Sequence, residues 1–247
     1  MIPMAIIAAF VDGSLVPWDE QIYATAARSV LDGHVLIPHF TLENHGLETG
    51  PFLEKPPLGI WLQALSMAVL GETAFGARVP SILAFGGVIS LTVLLGTKWF
   101  SPRAGALAGA ALVATNAVRA THAAQHAAMD MMLLFWGTLA VYATVRGKEN
   151  GQWLLVAGVS LAAAILTKGI AGLPFGLLVG AVVLGDIRTY LTQTAVAGVA
   201  LFAVVTASWH VAAYLSYPEI FVEQYFIEQV IERSAGTHGN PIPGGFF

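Results

Sequence analysis

Charges stand far apart in this 247-residue chain, and the gaps between them constrain its fold more than any other feature. Uncharged runs of 19 residues (Val79–Thr97), 15 (Met131–Val145), 18 (Asn150–Thr167), 17 (Gly169–Gly185) and 30 (Thr189–Pro218) succeed one another with short charged punctuation. Another 15 separate Arg103 from Arg119, and that run resumes to Met129. An α-helix needs about 17–25 residues to cross a hydrocarbon core. Shorter runs suffice where flanking Lys and Arg snorkel. This predicts six full spans, over 79–97, 104–121, 129–145, 150–167, 169–185 and 191–214. Met1–Val11 is apolar but too short to cross, and reads as the end of a truncated first helix. The 13 residues Leu58–Leu70 are also too short, so they are expected to lie at the membrane surface. The expected fold is an all-α polytopic membrane protein of about seven transmembrane helices, forming one module over 1–247. Its outer loop, 12–78, carries interfacial helices over 19–32 and 57–70. A second outer loop begins at 215–247 and opens with a further surface helix.

Composition agrees. Only 11% of residues are charged, against about 25% in soluble domains. A net charge of −4 offers no basic excess to pair with nucleic-acid phosphates. Cys is absent, which excludes a disulfide framework and a thiolate metal site. If Leu58–Leu70 does not cross, the short loops with Lys98/Arg103, Arg146/Lys148 and Arg188 share one side, which the positive-inside rule makes cytoplasmic. Thirteen of the 15 carboxylates then fall on the other side, leaving only Glu149 and Asp186 inside. The expected location is the plasma (bacterial inner) membrane, with the acidic face extracytoplasmic.

That acidic face holds the residues with chemistry. Asp19 and Glu20 open a short amphipathic helix that also carries Tyr23 and stops near Gly33. Carboxylates there can cap the helix; they can also serve as bases. Glu54-Lys55-Pro56-Pro57 opens the next helix. The two prolines remove two N–H donors, so an anion there depends on Lys55, later backbone amides and the helix dipole. Asp130 sits at the lip of an apolar span, where a carboxylate is costly unless paired, hydrated or functional. Lys168 interrupts two spans as either a boundary anchor or part of an anionic pocket. His122 and His126 offer a cation only two ligands, so no metal is indicated and no cofactor follows from the residues.

Taken together, the motifs resemble the membrane-embedded GT-C glycosyltransferases of the ArnT/protein O-mannosyltransferase type. The resemblance rests on Asp19-Glu20…Tyr23, Glu54-Lys55-Pro56-Pro57-Leu58…Trp61, Gly76-Ala77-Arg78-Val79-Pro80-Ser81 and Met129-Asp130. It continues through Leu166-Thr167-Lys168-Gly169…Leu173-Pro174, Ser208-Trp209-His210 and Glu228…Arg233. It implies transfer of a sugar from a polyprenyl-phosphate carrier to a lipid, glycan or protein hydroxyl, with lipid A among the family's acceptors. It implies that Asp19 is the catalytic carboxylate, with Asp130 at the same cavity. It places Lys55 and Arg233 towards the carrier phosphate, and makes Glu20, Tyr23, Glu54 and Lys168 their companions in substrate binding. Two departures stand out: Ile22 where the family often has Arg, and Gln229 where a His is common. Members usually run to about twice this length, so the chain reads as the N-terminal module. Two other readings remain. A transporter would place ionisable groups deep in broken helices, whereas here every charge except Arg119 falls at a span end or in a loop. A folded but inert module is the third.

Overall fold

The computed structural model describes residues 13–16, 18–42, 47–115 and 124–232. The expected partial helix over 1–11, the end of the span expected over 104–121, His122 and Arg233 lie outside the described residues.

Helices dominate. α1 (Asp19–Leu31) buries Tyr23 and the alanines Ala24, Ala26 and Ala27, whose small side chains let it lie close on α2 (Leu58–Leu70). Between them is an element that the all-α expectation missed: an antiparallel hairpin of β1 (His39–Leu42) and β2 (Leu47–Pro51). Its register pairs His39 with Pro51, Phe40 with Gly50 and Leu42 with Leu47. The strands are too short to show a period in the sequence, and tertiary contacts fix them. The His39 N–H donates to Ser29 Oγ of α1 at 2.8 Å, and the Phe40 ring packs edge-on against Phe52.

α3 (Ala74–Trp99) begins at Thr73, whose side chain accepts the Gly76 N–H. It therefore starts ahead of the uncharged run and takes Arg78 and Pro80 into the helix. Pro80 cannot donate to the carbonyl four residues back. Ser66 Oγ of α2 donates to that Gly76 carbonyl instead, at 2.6 Å, so the proline's missing bond ties α2 to α3. α4 (Pro102–Ala114), α5 (Asp130–Gly147), α6 (Trp153–Lys168), α7 (Leu173–Leu184), the single turn α8 (Ile187–Tyr190) and α9 (Gln193–Ser216) follow. α10 (Pro218–Phe221) then runs into a π-helical segment, Val222–Glu232.

Three apolar stretches among the described residues are long enough to cross a membrane: Ala74–Trp99, Trp153–Leu184 and Gln193–Ser216. The second is not one rod. Lys148, ahead of α6, pairs with Asp186, beyond α7, at 3.2 Å. A straight helix of this length would hold its ends about 48 Å apart. The chain must therefore reverse at the 3-10 turn Gly169–Gly172, where Gly169 adopts φ 59°. α7 has no buried residue, and α9 buries only Gly198, Trp209 and Ala213. Such apolar, outward-facing helices belong to an integral membrane protein.

The ion pairs sort the bundle into two ends. Lys98 pairs with Glu149, Arg146 with Glu149, and Lys148 with Asp186 at one end. Glu20 pairs with Arg78, and Asp130 with Lys168, at the other. Midway, α6 and α9 touch backbone to backbone: a Cβ at Gly158 would lie 2.0 Å from the Gly198 carbonyl oxygen. Small residues allow such close approach in membranes, and a backbone carbonyl cannot swing aside. Gly158→Val is therefore expected to destabilise the fold by about 1–3 kcal/mol or more. Thermal unfolding in detergent measures it.

Candidate active site

The site end is assembled around buried polar groups. Trp18, immediately before Asp19, holds φ 76°, a left-handed conformation that is costly for a bulky side chain. Such strain is of order 1–3 kcal/mol and clusters at functional positions. Glu20 neither caps the helix nor meets solvent, being 2% exposed. Its Oε1 accepts from Arg78 Nε at 2.9 Å and the Ala127 N–H at 2.5 Å. Its Oε2 accepts from Arg78 Nη2 at 2.8 Å and the Val16 N–H at 2.7 Å. Burial pushes the Glu20 pKa up, but the bonds from Arg78, Val16 and Ala127, together with the Arg78 charge, outweigh it and hold the group below its ordinary value of 4.5. A carboxyl depressed by folding stabilises the fold fully above its unfolded pKa, and that stabilisation is lost as pH falls through the folded value. Melting temperature should therefore fall with acidification below about pH 4.5, and fall less in Glu20→Gln.

The Ala127–Met129 segment is held from three helices. Glu20 of α1 accepts its first N–H. Gln63 Nε2 of α2 donates to the Ala127 carbonyl at 2.8 Å, and Ser81 Oγ of α3 donates to the Ala128 carbonyl at 2.7 Å. Met129, fully buried, covers Gly59. α5 then opens with Asp130, whose Oδ1 accepts from Lys168 Nζ at 2.6 Å. Both side chains of this pair remain partly exposed.

The third group is Glu54-Lys55. Lys55 is 6% exposed, and its Nζ donates to Gln229 Oε1. Gln229 Nε2 donates on to Glu54 Oε2 at 3.1 Å. Gln224 Oε1 accepts the Leu53 N–H at 3.0 Å. Both glutamines come from the π-helical segment. Such i→i+5 turns are rare and frequent at functional sites. Tyr225, in the same segment, shares a 2.9 Å hydrogen bond with His210 Nε2, and burial raises its pKa to about 12. Its hydroxyl lies 3.0 Å from where a Cβ of Gly169 would stand, so the turn after Lys168 requires glycine both for φ and for space. Tyr225 thus connects the turn bearing Lys168 to the segment bearing Gln229.

Of the residues singled out from the sequence, Glu54 joins Lys55 through Gln229, and Asp130 joins Lys168. Glu20 is wholly engaged by protein donors, with Asp19 its immediate neighbour. Tyr23 is buried, its ring edge-on to Phe52 at 6.1 Å. Arg233 lies outside the described residues. The reading of the site missed Gln63, noted Gln229 only as a departure from the family's pattern, and gave Arg78 and Ser81 no role beyond their motif. One signal was available: Gln63 is the only amide in the largely apolar Leu58–Leu70, where an unsatisfied polar group would be costly.

Comparison with known proteins bears on what this end is for. Residues 54–212, more than half of the chain, match the model of the family described as dolichyl-phosphate-mannose-protein mannosyltransferase. An undecaprenyl phosphate-alpha-4-amino-4-deoxy-L-arabinose arabinosyl transferase of Pseudomonas fluorescens is 28% identical over 237 residues, covering 90% of this chain and 40% of that protein. A Pseudomonas aeruginosa transferase of the same description is 34% identical over 160 residues, covering 61% of this chain and 27% of that protein. Among solved structures, ArnT from Cupriavidus metallidurans bound to undecaprenyl phosphate superimposes with a TM-score of 0.76 at 24% identity, covering 94% of this chain and 43% of that one. The chain thus spans less than half the length of these relatives. The match begins at Glu54, runs through Arg78, Asp130 and Lys168, and ends just past His210, so it takes in much of the polar assembly described above: the chain belongs to the dolichyl-phosphate-mannose-protein mannosyltransferase family.

Proposed function

We propose that the chain carries the carrier-binding and catalytic module of a glycosyltransferase. It would transfer a sugar from a polyprenyl-phosphate carrier to a lipid, glycan or protein hydroxyl at the extracytoplasmic face of a bacterial inner membrane. In this reading the chain has about seven membrane helices, with α1 and α2 as surface helices. The observation that carries it is the gathering of Lys55, Glu54, Asp130 and Lys168 at one end of an apolar bundle, next to the helix that opens with Asp19. An acceptor oxygen attacks the anomeric carbon, the bond from that carbon to the phosphate oxygen breaks, and the hydroxyl proton passes to Asp19. Lys55, with Arg233, neutralises the charge left on the departing phosphate. Asp130, held by Lys168, faces the same cavity and orients the sugar. Glu20 serves as a strut rather than a substrate ligand, since its oxygens already accept four hydrogen bonds. The carrier's tail stays in lipid, which requires the reacting groups at the membrane surface.

The names of the relatives choose the first donor to assay: undecaprenyl phosphate-linked 4-amino-4-deoxy-L-arabinose, with a mannosyl-phosphate carrier beside it. Release of free polyprenyl phosphate with label moving to an acceptor is the expected result. No release from either donor, together with counterflow of a labelled solute into proteoliposomes, would establish the transporter reading instead.

A further inference from the structure

Gln229 stands where the family resemblance leads one to expect a His, and its contacts are specific. The side chain is 7% exposed. Its carbonyl oxygen accepts from the Lys55 ammonium, and its amide nitrogen donates to the Glu54 carboxylate. A neutral amide can serve both partners at once, because it has an acceptor at one atom and donors at the other. A carboxylate there would repel Glu54, and an ammonium would repel Lys55. Among the described residues, the backbone beside Lys55 offers little else to a bound anion. The Leu53 N–H is already taken by Gln224, and Pro56 and Pro57 have none.

We propose that the Gln229 amide stands in for the carrier phosphate, occupying the Lys55 ammonium and keeping Lys55 and Glu54 in register until a phosphate oxygen displaces it. This rests on the reading of Lys55 as the carrier-phosphate residue. The exchange has a direction. The ammonium's bond to the amide is charge-assisted on one side only, whereas a phosphate oxygen adds a full opposite charge and so binds the ammonium more strongly. The amide therefore satisfies Lys55 without competing to a standstill. Because the amide does not titrate, the exchange does not depend on the protonation state of the residue at this position. A His there would titrate near neutrality. Glu54, released from Gln229, is left beside the phosphate-bound Lys55 and keeps that ammonium oriented. The π-helical backbone suits a side chain that must withdraw, since its widened turns are the exception among helices and mark functional positions.

The test is binding of undecaprenyl phosphate, without sugar, to the purified protein in detergent micelles. Gln229→Leu removes the stand-in, so affinity should rise by about 10-fold or more, the equivalent of one hydrogen bond to a charged group. The melting temperature of the carrier-free protein should fall at the same time. Gln229→Glu places a permanent carboxylate on Lys55, and affinity should fall by about 10-fold or more. Unchanged or weaker binding in Gln229→Leu overturns the proposal, making Gln229 a strut or a phosphate ligand. If Gln229→Leu does not fold, near-isosteric Gln229→Glu decides alone, and unchanged affinity there overturns it. Lys55→Ala separates the two layers. If Lys55→Ala binds as tightly as wild type, the phosphate role of Lys55 is wrong. If it loses binding while both Gln229 variants behave as wild type, only the stand-in is wrong.

Discussion

Asp19→Asn is expected to lower the rate of sugar transfer by about 10²–10⁴-fold, the usual contribution of a positioned general base. Its melting temperature and its affinity for undecaprenyl phosphate should stay near those of wild type. The substitution keeps the shape of the side chain but removes its charge and, with it, its capacity to take the acceptor proton. Asp19 opens α1 next to Glu20, whose four hydrogen bonds anchor that turn independently. The backbone carrying residue 19 should therefore survive the change. Lys55→Ala gives the complementary result. It should weaken carrier binding by about 10- to 100-fold, as expected for loss of a hydrogen bond to a charged group, and so raise KM for the donor. Steady-state kinetics on both variants separates the roles. An Asp19→Asn protein that keeps near-wild-type turnover contradicts the assignment of the base.

Arg78→Met should be the most destabilising single change at this end, by about 3–5 kcal/mol. Arg78 is 5% exposed and Glu20 2%. Removing the guanidinium leaves a buried carboxylate with only backbone donors, and also frees the Ser14 carbonyl that Arg78 Nη2 binds at 3.1 Å. The loss should reach function, because Glu20 holds the Ala127 N–H that precedes Asp130. Pairing Arg78→Met with Glu20→Met should recover much of the stability, since replacing both partners by apolar groups is far cheaper than orphaning one. Activity should not return with it, because the Ala127 N–H then has no acceptor. Thermal unfolding with the transfer assay distinguishes these. A single Arg78→Met variant as stable as wild type contradicts the buried-pair account.

Much of this was legible from the spacing of charges. Long uncharged runs forced a helical membrane chain, and the motif order pointed to the family before any coordinates. Asp130 and Lys168 could be singled out because a charge at the end of an apolar helix is conspicuous; their 2.6 Å contact brings together residues 38 apart in sequence. Glu20 was harder. Its position in the first turn of α1 suggested capping or substrate contact, and only the folded chain brings Arg78 and Ala127 to it. The roles of Gln63, Ser81 and Gln229 were illegible for a physical reason: neutral polar residues are ordinary helix content, and their value lies in partners 47 to 174 positions away. The hairpin His39–Pro51 escaped notice because four- and five-residue strands carry almost no period, and contacts with α1 and Phe52 decide them.

The account depends on Asp19, Lys55, Asp130 and Lys168 opening on one side of the membrane, opposite Lys98, Arg146 and Asp186. The chain has no cysteine, so single-cysteine labelling in intact cells reads sidedness without background. Cysteines at Asp32 and Glu72 near the site end should react with an impermeant maleimide from outside. Cysteines at Asn150 and Asp186 should react only after permeabilisation. Labelling of Asp32 and Glu72 on opposite faces, or of Asn150 from outside, would contradict the single vestibule on which the chemistry rests.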